Sequence, residues 1–80
     1  MLVAQFVQAM MAELEGGPPP AFDPLHQLAL RALSSRSVSG LLGFVQGEPA
    51  GVMLMCETCA MHAGGTFAEI SELYVTPEHR

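Results

Sequence analysis

The chain has 80 residues, of which half are hydrophobic and 14% are charged, and its formal net charge at pH 7 is −5. A chain of this length makes one small domain with a marginal core, and its apolar fraction is too high for a disordered segment. Because three arginines and no lysine oppose eight acidic residues, we expect no nucleic-acid or membrane partner. No apolar run approaches the length of a membrane span, so the predicted location is the cytoplasm.

Two amphipathic helices are predicted in the N-terminal part of the chain. Apolar residues recur at three- and four-residue spacing over residues 2–14, and Gly16 can end this helix before a proline triplet. Asp23 followed by Pro24 is typical of an N-cap with proline at the first helical position. The second helix should therefore begin there and continue to about Ser34.

The hydrophobic period changes to that of strands after residue 36. Short apolar runs over residues 41–45 and 51–55 flank a turn-like segment, which predicts a hairpin. A third strand follows over residues 66–75. Two helices followed by three sequential strands predict an α+β fold with a three-stranded antiparallel sheet. The helical part is residues 1–36 and the strand part is residues 37–80.

The third strand changes the parity of its apolar residues. Ala68 and Ile70 would point to one face, whereas Leu73 and Val75 have the opposite parity. A shift of one residue in a period-two pattern predicts a β-bulge, here at residues 71–72.

The predicted hairpin is apolar on both faces of the sheet. On the first strand Leu42 and Phe44 would face one way and Leu41 and Val45 the other. On the second strand Val52 and Leu54 would oppose Met53 and Met55. Two helices can cover only one of these faces, so we expect the second to recruit a partner. This pattern predicts a homo-oligomer or association with a complementary C-terminal half.

Two cysteines and a histidine raise the alternative of a metal or redox site. Cys56, Cys59 and His62 are close in sequence, but residues three apart on an extended strand point to opposite faces. His26 or His79 would have to supply a fourth zinc ligand, and nothing in the spacing brings either close. We interpret the cysteines as small apolar side chains and predict no metal site.

The final residues ELYVTPEHR, preceded by AMHAGGTFAEIS, resemble the fourth strand of the GNAT superfamily of acetyl-CoA-dependent N-acetyltransferases. The resemblance covers about residues 40–80. In that family the strand continues into an R-x-x-G-x-G/A loop that binds pyrophosphate, and Arg80 would be the first residue of this loop. The resemblance implies an N-terminal portion of a GNAT-type domain, clipped at both ends, which transfers an acetyl group from acetyl-CoA to an amine.

The resemblance also implies roles for individual residues. The backbone of Leu73, Tyr74 and Val75 would contact the pantetheine arm and the thioester carbonyl, and Arg80 would lie near the pyrophosphate. Glu72 would be the general base or the anchor for a small-molecule or peptide amine, with Glu69 as the second candidate. The 80-residue chain alone is expected to bind acetyl-CoA poorly and to be inactive.

A second interpretation is a non-catalytic half-domain. Such a module would fold by homodimerising or by pairing with a separate partner through the edge at Thr66 to Val75 and the uncovered sheet face.

Overall fold

The computed structural model describes the backbone of all 80 residues and every side chain except that of Ala63. The strands form one antiparallel sheet in the order β1-β2-β3, preceded by both helices. The predicted α+β layout is therefore confirmed. The elements are α1 (Leu2–Glu15), α2 (Phe22–Leu33), β1 (Val38–Val45), β2 (Glu48–Ala60) and β3 (Gly65–Val75), with single 3-10 turns at Met61–Ala63 and Pro77–His79.

The ends of the helices follow from the residues that flank them. Gly16 closes α1 with a φ of +70°, a left-handed conformation that glycine adopts without strain. The predicted N-cap of α2 at Asp23 is wrong, because the N-cap is Ala21 and the helix begins at Phe22 rather than at Pro24. Asp23 and Pro24 lie in the first turn instead. Proline is tolerated there because the first N–H groups of a helix have no intrahelical partner.

The β1–β2 hairpin has a tighter turn than the sequence suggested. Gln46 and Gly47 both have positive φ, of 51° and 83°, as a two-residue type I′ turn requires. Pro49 therefore belongs to β2, which extends to Ala60 rather than ending near Met55. Proline is accommodated because β2 pairs only with β1 at that point.

The predicted bulge in β3 is confirmed. Leu54 pairs with Glu72 and Met55 pairs with Ile70, so Ser71 is the extra residue. The Ser71 hydroxyl donates to the Leu54 carbonyl at 3.4 Å, which holds the bulged residue against the neighbouring strand.

The helices pack on one face of the sheet, and α1 supplies three of the six residues of the core cluster. The Phe6 and Tyr74 rings pack in a tilted arrangement, with centroids 6.1 Å apart. Burial of these apolar side chains is the main stabilising contribution. The core cluster consists of Val3, Phe6, Val7, Val52, Leu54 and Tyr74.

The opposite face of the sheet is apolar and exposed. Leu41, Ile70 and Leu73 are each more than half exposed, at 57%, 54% and 61%. The accessible surface is 5517 Å², against about 4,650 Å² for a compact monomer of this mass. The radius of gyration is 14.1 Å, against about 11.6 Å expected for 80 residues. Over the described residues, no helix is both long and apolar enough to cross a membrane.

Candidate functional site at the bulged edge strand

The bulge brings the two candidate acidic residues to the same face of the sheet. Glu72 pairs with Leu54, and Glu69 pairs with Cys56, two residues further along β2. Directly paired residues share a face, as do residues two apart on one strand. Glu69 and Glu72 therefore both lie on the helix side. A regular strand would have separated them, which is why the sequence alone did not assign their faces.

The two carboxylates nevertheless have different surroundings. Glu72 is half-buried and lines a cavity of about 340 Å³ between the helices and the sheet. Glu69 is exposed on the same face, beyond the cavity. Of the two predicted catalytic residues, only Glu72 therefore lines a cavity that could hold a substrate group.

The outer edge of β3 presents backbone groups away from the sheet. The Thr76 N–H donates to the Ala50 carbonyl at 2.8 Å, so Thr76 directs its N–H toward β2. Because the N–H direction alternates along a strand, the N–H of Tyr74 also points toward β2, whereas the N–H groups of Leu73 and Val75 point away from the sheet. Two of the three residues predicted to contact acetyl-CoA through their backbone thus present an N–H at the open edge. Tyr74 instead contributes its ring to the core.

A surface groove runs along this edge between β3 and the C-terminal end of α1. Its volume is about 400 Å³. The structure brings all four residues of the predicted cofactor site to this groove. They are Leu73, Tyr74, Val75 and Arg80, and the remaining lining residues are Met10, Glu13 and Leu14.

Arg80 is held at the groove by three hydrogen bonds. Its Nε donates to the Val75 carbonyl at 2.8 Å, and Nη1 and Nη2 donate to Oε1 and Oε2 of Glu13 at 2.6 and 2.7 Å. The guanidinium also lies 5.4 Å from the centre of the Tyr74 ring, within cation–π range. The guanidinium is therefore fixed in place at the groove.

The partner of Arg80 was not anticipated from the sequence. The hydrogen bond between Arg80 and Glu13 lowers the pKa of the Glu13 carboxyl below its usual value of 4.5 and raises the pKa of Arg80. Glu13 lies in the last turn of α1, where a negative charge opposes the helix dipole. An acidic residue in this unfavourable position is the feature of the sequence that could have indicated a nearby cation.

The cysteines do not converge in the fold. The β2–β3 register is regular from Met55 to Ala60, so Cys56 and Cys59 point to opposite faces. Cys56 is half-buried and Cys59 is exposed. Among the described residues, no group of three or more His, Cys, Asp and Glu is arranged to hold a metal ion.

No protein-family model, curated protein or solved structure matches this chain. The relationship to the GNAT superfamily therefore stays a prediction, which depends on the ELYVTPEHR motif and on the geometry of β3.

Proposed function

We propose that this chain is part of an N-acetyltransferase of the GNAT type, which transfers an acetyl group from acetyl-CoA to a small-molecule or peptide amine in the cytoplasm. One observation carries the proposal. The bulged edge strand directs two backbone N–H groups outward beside an arginine, while the adjacent Glu72 lines a separate cavity on the helix side. This arrangement supplies donors for a thioester carbonyl and a carboxylate for an amine.

The groove residues fit acetyl-CoA in their chemistry. The N–H groups of Leu73 and Val75 can donate to carbonyl oxygens of the pantetheine arm or of the thioester. Arg80 uses three of its five N–H groups in the bonds described above, so two remain for a phosphate oxygen. When bound, acetyl-CoA supplies an acetyl group activated as a thioester.

Glu72 has the role of proton acceptor in this proposal. The substrate ammonium must first lose one proton to free its lone pair, and a carboxylate beside the nitrogen can take that proton. As the nitrogen then bonds to the acetyl carbon, the C–S bond breaks and CoA leaves as a thiolate, which takes up the second proton that the nitrogen loses. Glu69 is the second candidate, because its carboxylate is exposed and lies outside the cavity that Glu72 lines. An outward N–H at Leu73 stabilises the developing oxyanion.

A proline substitution at the edge tests the cofactor part of the proposal. Leu73→Pro removes the outward N–H without breaking the β2–β3 ladder, whereas Leu73→Ala keeps it. In the full-length natural protein, we expect Leu73→Pro to weaken acetyl-CoA binding by several-fold to about tenfold, the usual scale for one hydrogen bond. Calorimetry measures the affinity, and circular dichroism checks that both variants fold. Equal affinities for the two variants would remove Leu73 from the site, and no binding by the unmodified protein would overturn the proposal.

The uncovered face of the sheet favours a second candidate function. The accessible surface exceeds the compact value by roughly 870 Å², which matches the roughly 800 Å² that each partner contributes to a standard interface. The alternative is a non-catalytic half-domain that folds by pairing this face with that of a second copy. Absence of acetyl-CoA binding by the full-length natural protein, together with concentration-dependent association of the chain, would favour the module over the enzyme.

A further inference from the structure

The cavity that contains Glu72 has the composition of a site for a ligand with one charged end. Apolar side chains of α1 and α2, including Met11, Leu25, Leu28 and Ala29, line most of it. Glu72 is the one charged residue in this lining. Within the described part of the chain, its carboxylate has no hydrogen-bond or ion-pair partner.

The size of the cavity sets the size of the ligand. Its volume is about 340 Å³, whereas a cavity of roughly 150 Å³ is enough to hold benzene. The space therefore admits an aromatic ring with a short side chain, or an alkyl chain of about eight carbons.

The negative charge of Glu72 determines the sign of the charge that the ligand carries. A carboxylate at an apolar wall favours a cation that can donate hydrogen bonds to it, and it disfavours an anion. The net charge of −5 adds attraction for cations at long range.

We propose that this cavity binds an amphipathic primary amine, with its ammonium group on Glu72 and its apolar tail between α1 and α2. The identification of this amine as the acetyl acceptor rests on the proposed function, whereas its binding does not. The acceptor class is then hydrophobic monoamines, such as alkylamines and arylalkylamines, rather than polyamines, amino acids or protein lysines.

Cys56 provides a readout of this site that is independent of catalysis. Cys56 lines the cavity, whereas Cys59 lies on the opposite face of β2 and serves as an internal control. We expect octylamine at ten times its Kd to slow alkylation of Cys56 by iodoacetamide about tenfold, by mass action. Alkylation of Cys59 should be unchanged. Equal protection of both thiols, or of neither, would overturn the proposal.

A ligand series on the unmodified protein tests the role of the charge. Octylamine, octanol and octanoate have the same chain length, and we expect octylamine to bind at least about fivefold more tightly than octanol. Octanoate should bind more weakly than octanol. Binding of octanol or octanoate as tight as that of octylamine would overturn the ammonium–Glu72 contact.

Two variants on one helix test the location of the tail. Ala29→Leu narrows the cavity at the proposed position of the tail and should weaken protection of Cys56 several-fold at the same octylamine concentration, whereas Gln27→Leu, an exposed change two residues away, should leave it intact. Undiminished protection in Ala29→Leu would overturn the location.

The amine site and the proposed reaction can fail separately. In the full-length natural protein, protection by octylamine without acetyl transfer would support the site and count against the reaction. Acetyl transfer to octylamine without protection of Cys56 would support the reaction and overturn this site.

Discussion

Arg80 and Glu13, 67 positions apart in the sequence, are joined by two parallel hydrogen bonds of 2.6 and 2.7 Å. The contact ties the turn after β3 to the last turn of α1, and both side chains remain close to half exposed. Glu13 also places a carboxylate beside the cation that we propose to lie near a phosphate. The pair therefore affects both the stability of the fold and the binding properties of the groove.

The first prediction concerns the pH dependence of stability. The folded-state pKa of Glu13 is lowered by Arg80, so its contribution to stability is present above pH 4.5 and is lost as the pH falls through the folded pKa. We expect Glu13→Gln to lower the Tm slightly at pH 7, because the pair is exposed. The difference from the unmodified chain should shrink steadily as the pH falls below 4.5 and vanish once the pH is below the folded-state pKa of Glu13. Thermal melts across the acid range measure it, and a difference that does not shrink as the pH is lowered would contradict the linkage.

The second prediction uses the same pair to test the phosphate contact. In the full-length natural protein, Arg80→Ala removes the cation and should weaken acetyl-CoA binding by about tenfold, the scale of one charge-assisted hydrogen bond. Glu13→Gln removes a competing carboxylate and should strengthen binding by several-fold, because it leaves the guanidinium intact. Calorimetry on both variants separates the effects. A loss of affinity in Glu13→Gln equal to that in Arg80→Ala would show that the pair only shapes the groove.

Features encoded by neighbouring residues were predictable from the sequence. The bulge at Ser71 was found because a change of parity within one strand is a local signal. The end of α1 was found because Gly16 adopts a conformation that few other residues adopt. The start of α2 was misplaced by two residues because Asp23 is favourable both at an N-cap and within the first turn.

Features that depend on long-range packing were not predictable. The pairing of Arg80 with Glu13 requires knowing where α1 crosses the sheet, and no local pattern encodes that position. The sequence also left Glu69 and Glu72 without assigned faces, because the extra residue between them could not be located more closely than the segment 71–72. The register with β2 identifies it as Ser71.

The third prediction compares two glycines that pair across β1 and β2. A Cβ at Gly51 would lie 2.7 Å from the Tyr74 carbonyl oxygen, whereas a Cβ at Gly43 would meet nothing within 4 Å. We expect Gly51→Ala to destabilise the fold by about 1–3 kcal/mol. Gly43→Ala should be neutral or stabilising by up to about 1 kcal/mol. Urea unfolding measures both, and equal effects would mean that β3 does not approach β2 as closely as described.

The fourth prediction concerns the open face of the sheet. We expect the unmodified chain to sediment above its monomer mass of 8.5 kDa at high concentration, since this apolar face can bury against a second copy. Ile70→Asp places a charge on that face and should restore the monomer. Leu30→Asp introduces the same charge on α2, where Leu30 is 45% exposed and Ile70 is 54% exposed. This control variant should still associate, because Leu30 lies outside the open face. A concentration-independent monomer for the unmodified chain would contradict the prediction.

The fifth prediction tests the proposed base in the full-length natural protein. Glu72→Gln keeps the size of the side chain but cannot accept a proton, so kcat/KM should fall by about a hundredfold or more. Acetyl-CoA affinity should change little, because Glu72 lines the helix-side cavity and not the groove that contains Arg80. Glu69→Gln is the matched control on the same strand and face, and it should have a much smaller effect because its carboxylate is exposed. Steady-state kinetics and calorimetric binding are measured together. Near-normal turnover in Glu72→Gln with a large loss in Glu69→Gln would move the role to Glu69, and normal turnover in both would refute a protein carboxylate as the base.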